Sequence, residues 1–163
     1  MKTILIVDGH NVLHKLERYR QLKNQKFQLA ADRLVVDLVN LSGSGDFEII
    51  VVFDGGRATT ESEVGDVKVI YSGESKSADS IIEKLVFKIA EDRTVVICTL
   101  DNAQQKVVSR NGTSRLSPRE LDSLFTDNRE ENQENRPKST RFRVDSRLPD
   151  SVRDKLEKIR RGL

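Results

Sequence analysis

The sequence contains only one cysteine and no long apolar run. A single cysteine, Cys98, in 163 residues excludes a disulfide framework. Cys98 lies in a short apolar run at 95–98, where a buried, unreactive thiol is expected. No apolar run approaches the roughly 20 residues that cross a membrane, and a predicted strand begins at Thr3 with no targeting segment before it. We therefore expect a cytoplasmic protein in a reducing setting, with no membrane partner.

Positive charge is concentrated towards the carboxyl end of the chain. The formal net charge is only +2, but residues 136–163 contain ten Lys/Arg and four Asp/Glu and sum to +6. Residues 1–135 therefore sum to −4. An acidic body with a basic tail indicates an anionic partner for the tail, and a solvated, flexible tail is the alternative.

Apolar strands alternate with helical patterns along the first three quarters of the chain. Uninterrupted apolar runs end at Asp8 and at Asp54, and such runs are typical of strands buried on both faces. Because strands alternate with helices, we expect an α/β fold with a parallel central sheet. Further strands are predicted at 66–71 and 94–99, helices from 27 to about 41 and at 77–89, 103–109 and 118–125, a mobile polar loop at 55–65, and a weak basic helix at 150–160.

From Thr126 to Thr140 the chain is almost entirely polar. That composition cannot offset the entropy lost on ordering, which predicts a linker. The predicted organisation is therefore a domain over residues 1–126, followed by a polar linker and a basic C-terminal extension over 127–163.

Four acids are predicted at one rim of the sheet. Asp8 and Asp54 end strands, Asp101 follows a strand, and Asp79 opens a helix. In a parallel α/β sheet each helix starts near the carboxyl end of the preceding strand, where ligands bind. Each acid alone is better explained as a turn former, a helix cap or a partner of a helix dipole. The four together favour a functional cluster.

If three of these acids converge, they need bound protons or a cation. Two carboxylates about 6 Å apart repel by roughly 3 kcal/mol at an effective dielectric of about 20, and three such pairs would cost an amount near the stability of a whole domain. Oxygen ligands with open positions suit Mg²⁺ or Mn²⁺, which can hold a phosphate and activate water for phosphodiester hydrolysis. The convergence depends on strand order and is itself a prediction.

Several short segments occur in a recognisable order and spacing. They are Ile6–Asn11, Val51–Gly55, Ser77–Asp79 and Thr99–Asn102, with Asn111–Leu121 following. Over about residues 3–126 this set resembles the YacP-like branch of the NYN domains, a PIN-like ribonuclease group. The resemblance implies a three-layer PIN-like fold, in which helices flank a central, mostly parallel sheet, and metal-dependent cleavage of RNA.

The resemblance also implies roles for rim residues. Asp8, Asp79 and Asp101 match the family's metal-binding acids, and Asn11 matches an asparagine that orients phosphate or water. Asp54 matches the acid that ends the second long strand. We therefore predict that all five are catalytic, with Mg²⁺ or Mn²⁺ held by Asp8, Asp79 and Asp101.

Basic residues predict a surface for RNA. Contacts from Lys and Arg to phosphates give affinity that depends on salt and tolerates many sequences. His10 and His14 have the i, i+4 spacing of a zinc pair, but no Cys or third His lies nearby, so a rim histidine that contacts a phosphate, or an exposed histidine, is favoured. The predicted RNA-binding residues are Lys15, Arg18, Arg20, Lys23, Lys26, Arg141 and Arg143.

The predicted function is a divalent-metal-dependent endoribonuclease. The family resemblance makes mRNA on or near the ribosome a plausible substrate setting. One alternative is a non-catalytic adaptor that binds RNA or the ribosome. Another is a phosphatase of the haloacid-dehalogenase type, but that chemistry expects a second acid two residues after the first, where this chain has His10.

Overall fold

In a computed structural model, residues 2–100 and 113–134 are described. They form six strands in one sheet and five helices. The strands are β1 (Thr3–Asp8), β2 (Phe47–Phe53), β3 (Gly55–Val64), β4 (Val67–Gly73), β5 (Val95–Cys98) and β6 (Ser114–Leu116). The helices are α1 (Gly9–Lys15), α2 (Glu17–Gln25), α3 (Phe27–Ser42), α4 (Ala78–Ile89) and α5 (Pro118–Glu134).

The sheet has the strand order β3-β4-β2-β1-β5-β6. β1 lies between β2 and β5, and all pairs are parallel except β3 with β4. The expected α/β architecture with a mostly parallel sheet is therefore confirmed. Because β1, β2 and β5 point the same way, their carboxyl ends form one rim.

Both faces of the sheet are covered, which explains the unbroken apolar runs of β1 and β2. Side chains alternate between faces along a strand. Leu5 and Val7 belong to a core on the side of α1, α2, α3 and α5, whereas Ile4 and Ile6 belong to a second core under α4. Helix, sheet and helix thus make three layers. None of the described helices is long and apolar enough to cross a membrane.

Two predicted helix starts are confirmed by their caps. The Ser77 hydroxyl accepts a hydrogen bond from the Ser80 N–H at 3.1 Å, which opens α4. The Ser117 hydroxyl accepts from the Glu120 N–H at 3.1 Å, which opens α5 with Pro118 as its first residue. These bonds satisfy amide groups that have no partner within the helix.

The predicted mobile loop at 55–65 is wrong, because these residues form the edge strand β3. Every residue of β3 is exposed, so no pattern of burial marks it in the sequence. Its order comes from antiparallel pairing with β4 and from the Thr59 hydroxyl, which donates to the Ser72 carbonyl at 2.8 Å.

The predicted linker is wrong from Thr126 to Glu134, because α5 continues through these residues. Asn128 is buried, and its side-chain amide donates to the Asn40 carbonyl at 3.0 Å. Arg129 reaches Asp37 at 3.2 Å. Two polar contacts to α3 therefore anchor a segment that has few apolar residues.

The chain divides into two units, residues 1–129 and residues 130–163. Of the second unit the structure describes only 130–134, the end of α5. The helices predicted at 103–109 and 150–160 and the basic tail lie outside the described residues. The predicted domain boundary at residue 126 stays a prediction.

We predict that Asn128→Ala lowers the free energy of unfolding by about 1 kcal/mol, because the part-buried hydrogen bond from the Asn128 amide to the Asn40 carbonyl is lost. The matched change Asp127→Ala, at an exposed position of the same helix, should change stability by less than about 0.5 kcal/mol. Urea unfolding followed by circular dichroism measures both. Equal effects from the two substitutions would contradict this account of α5.

Candidate active site

Three parallel strands bring the predicted rim residues to one edge of the sheet. Asp8, the last residue of β1, pairs with Val52 of β2, and Val7 pairs with Cys98 at the end of β5. Asp54 directly follows β2. The segment after β5 therefore begins beside Asp8 on one side, and Asp54 lies near it on the other.

Asp8 caps a helix while lying almost entirely within the protein. It is 5% exposed, and its Oδ1 accepts a hydrogen bond from the Asn11 N–H at 3.3 Å, which opens α1. Burial raises the pKa of the neighbouring Cys98 thiol, and the negative charge of Asp8 raises it further. Cys98 is thus the expected buried, unreactive thiol, and its environment places the Asp8 charge beside β5.

Asn11 joins α1 to the segment after β5. Its side-chain oxygen accepts a hydrogen bond from the Leu100 N–H at 3.0 Å, while its own N–H donates to Asp8. Leu100 immediately precedes Asp101, which lies outside the described residues. Asn11 therefore fixes the position from which the chain continues to the third predicted metal ligand.

Asp54 holds the start of α4. Its Oδ1 accepts a hydrogen bond from the Ala78 N–H at 2.7 Å and lies 3.5 Å from the Ser72 hydroxyl. The carboxylate is at the positive end of the α4 dipole, where negative charge is favourable. Asp79 follows Ala78 in the first turn of α4 and is exposed. Asp54 thus positions the helix end that carries Asp79.

Ser72 is a rim residue that no sequence pattern marks as part of the site. Its hydroxyl accepts from the Gly55 N–H at 3.3 Å and contacts Asp54. Ser72 lies in β4, so its contact with Asp54 follows from the pairing of β4 with β2. No local pattern predicts that pairing.

His10 is held by a hydrogen bond and by aromatic packing. Its Nδ1 accepts from the Asp54 N–H at 3.2 Å, and its ring stacks on Phe27 with centroids 4.7 Å apart. Burial lowers the pKa of His10, Asp54 opposes this, and Lys23 adds to it. The imidazole is therefore favoured in its neutral form, with the proton on Nε2.

Gly9 allows the aromatic packing to come close to β1. A Cβ atom on Gly9 would lie 2.3 Å from two ring carbons of Phe53 and 3.0 Å from the Val52 carbonyl oxygen. Real Cβ atoms do not come so near a ring. The glycine after Asp8 is thus required by the packing of Phe53 at the rim.

The described residues contain no group of three or more His, Cys, Asp or Glu side chains placed to hold a metal ion. The zinc pair considered for His10 and His14 gains no support, since His14 Nδ1 lies 3.3 Å from the Lys23 ammonium. Asp8 and Asp79 are hard oxygen donors of the kind that Mg²⁺ and Mn²⁺ prefer. A three-carboxylate site at this rim requires Asp101.

The predicted RNA-binding residues fall into four groups. Lys15, Arg20 and Lys26 are exposed. Lys23 is half-buried and contacts His14. Arg18 pairs with Asp122 at 2.6 Å and lies over the Phe125 ring, 5.3 Å from its centroid, so it packs between helices. Arg141 and Arg143 lie outside the described residues.

Residues 5–161 match the sequence profile of the YacP-like NYN domain. The chain belongs to this family. Membership places it among PIN-like nuclease families, and the match extends well past residue 126, where the resemblance was predicted to end.

Three matches to this chain come from Bacillus subtilis and carry the name YacP. The uncharacterised protein YacP of strain 168 is 30% identical over 122 residues, which are 72% of each chain. The crystal structure of Rae1 (YacP) is 28% identical with a TM-score of 0.71, over 98% of this chain and 95% of that chain. A point mutant of the same protein gives 27% identity and a TM-score of 0.69, over 82% and 80% of the chains.

We predict that Asp54→Ala lowers the free energy of unfolding by about 1–3 kcal/mol, because the Ala78 amide loses a charged acceptor. Asp54→Asn should lose less, since its amide oxygen can still accept that bond. Urea unfolding of the two variants, beside the exposed control Asp66→Ala, measures the difference. If Asp54→Ala were as stable as the control, the assigned anchoring of α4 would be wrong.

Proposed function

We propose that this protein is a divalent-metal-dependent endoribonuclease that hydrolyses RNA phosphodiester bonds and leaves a 5′-phosphate and a 3′-hydroxyl. The observation that carries the proposal is the position of Asp8. This carboxylate is 5% exposed, ends the central strand, and is tied through Asn11 to the residue before Asp101.

The rim acids have separate parts in this proposal. Asp8, Asp79 and Asp101 hold the ion, and Asp54 fixes the end of α4 from which Asp79 projects. Asn11 aligns Asp8 with the segment that carries Asp101. A bound Mg²⁺ or Mn²⁺ supplies charge that stabilises a phosphate oxygen and lowers the pKa of water.

RNA is the proposed substrate because both family membership and the exposed basic residues favour it. Lys15, Arg20 and Lys26 are exposed on α1, on α2 and at the start of α3, where they are available to phosphates. The basic tail adds Arg141 and Arg143 to the proposed contacts. mRNA bound to the ribosome is the proposed setting.

A second candidate is an adaptor that binds RNA without cutting it. It is favoured by one observation: Asp8 caps α1 by accepting a hydrogen bond from the Asn11 N–H, a structural part that needs no metal. In that case Asp8 serves only as the cap of α1, and its charge has no chemical part.

Asp8→Asn separates the two candidates, because asparagine caps helices as well as aspartate does but is a poorer metal ligand. We predict that wild-type protein cleaves labelled RNA only when Mg²⁺ or Mn²⁺ is present. Asp8→Asn should stay folded and cleave at least roughly a hundredfold more slowly. The matched control Asp66→Asn, at the opposite end of the sheet, should keep full activity.

The assay is run on free RNA and on mRNA bound to ribosomes, with unfolding midpoints measured for each variant. Cleavage that persists in EDTA, or that Asp8→Asn retains, would contradict the metal-dependent mechanism. RNA binding with no cleavage in either setting would favour the adaptor. Because asparagine keeps the cap, loss of folding in Asp8→Asn would show that the buried Asp8 carboxylate is needed chiefly for stability.

A further inference from the structure

Three arginines converge on one buried acid outside the rim. Asp37 is 3% exposed. Its carboxylate lies 3.2 Å from Arg129 Nη2, 3.6 Å from Arg33 Nε and 3.8 Å from Arg18 Nη1. These residues belong to α2, α3 and α5, so the cluster is built where three helices meet.

The cluster carries a net positive charge. Among residues 2–100 and 113–134, Asp37 and Asp122 are the acids paired with the three arginines, and these five charges sum to +1. Burial and the Asp37 charge raise the pKa of Tyr19, so its hydroxyl stays neutral and donates to Asp37 at 2.7 Å. One arginine would balance Asp37, and three like charges around it repel one another.

Two of the arginines keep donors available. Arg33 and Arg129 are 52% and 50% exposed. Within the part of the chain that the structure describes, each contacts Asp37 through a single nitrogen, and a guanidinium carries five N–H groups. Together with Leu22, the three arginines and Asp37 line a cavity of about 340 Å³. Guanidinium N–H donors, a net positive charge and a cavity are therefore present at the same place.

We propose that this cavity binds a phosphate group, with Arg33 and Arg129 as the contacting residues and Asp37 orienting them from beneath. Two arginines that line one cavity suit a phosphate, because each guanidinium can give two parallel hydrogen bonds to its oxygens. The source favoured here is the backbone of bound RNA, a choice that rests on the proposed function.

The position of the cavity makes it a second contact, separate from the rim. Phe27 at the start of α3 stacks on His10 at the rim. Asp37 lies ten residues further along the same helix, roughly 15 Å along its axis. Extended RNA covers that distance in a few nucleotides, so a strand at the rim can also reach the cavity.

Binding of a short single-stranded RNA to the full chain, in EDTA so that no metal-dependent step intervenes, tests the proposal. We expect Arg33→Gln and Arg129→Gln each to weaken binding by roughly threefold or more and to reduce the slope of log K against log salt by about 0.7 for each lost contact. Lys88→Gln, an exposed position on α4, should change neither. Arg33→Lys should restore part of the affinity, since it keeps the charge without the fork.

Sodium phosphate, compared with sodium chloride at equal ionic strength, distinguishes the sources of the phosphate. We expect phosphate to raise the unfolding midpoint of the wild type but not that of the two Gln variants, and to compete with RNA. Stabilisation by phosphate with unchanged RNA binding would keep the anion site and overturn RNA as its source. Folded Gln variants that match the wild type in both assays would overturn the site. Because RNA binding is measured in EDTA without cleavage, these outcomes can be told apart from a failure of the proposed nuclease activity.

Discussion

The two hydrogen bonds of Asn11 are the interactions on which the rim depends. Its backbone N–H binds the Asp8 carboxylate, and its side-chain oxygen binds the Leu100 N–H. One residue therefore sets the start of α1 against the end of β1 and also holds the segment that follows β5. Each bond alone contributes only about 1 kcal/mol. Together they hold Asp8, the acid that ends β1, beside the segment that follows β5.

The two readings of Asp8, turn former and functional acid, are compatible. As the cap of α1 it is a structural residue, and as a nearly buried carboxylate beside β5 it is also an acid that we propose holds a cation. Asp54 has the same sequence context, an apolar strand followed by Asp-Gly, but a different environment. It is exposed and its oxygen accepts the Ala78 amide. Similar motifs at neighbouring strand ends thus have different parts in the fold.

Much of the architecture could be predicted because β1 and β2 are buried on both faces, which leaves an uninterrupted apolar run in each. The edge strand β3 could not be predicted, since all of its side chains face solvent and its order comes from pairing with β4. The end of α5 depends on Asn128 reaching a carbonyl of α3. The part of Ser72 at the rim likewise needs the β2–β4 register. In each case the missing information is a contact between residues distant in sequence.

The basic residues show the same limit. Charge alone grouped Arg18 with Lys15 and Arg20, although Arg18 is bound between Asp122 and Phe125. Conversely, no sequence pattern marks Arg33 and Arg129 as a pair, and only the fold brings them to one cavity beside Asp37. Whether a basic residue is available to a phosphate therefore depends on its place in the fold, which the number of Lys and Arg residues does not give.

Calorimetric titration of Mn²⁺ into wild-type protein, Asp8→Asn and Asp66→Asn tests the central claim most directly, because it asks whether the Asp8 carboxylate binds a cation without relying on RNA cleavage. The account predicts that Asp8→Asn binds Mn²⁺ at least roughly tenfold more weakly than the wild type, while Asp66→Asn matches it. Equal affinity of the wild type and a folded Asp8→Asn variant would contradict the account and leave Asp8 as a helix cap alone.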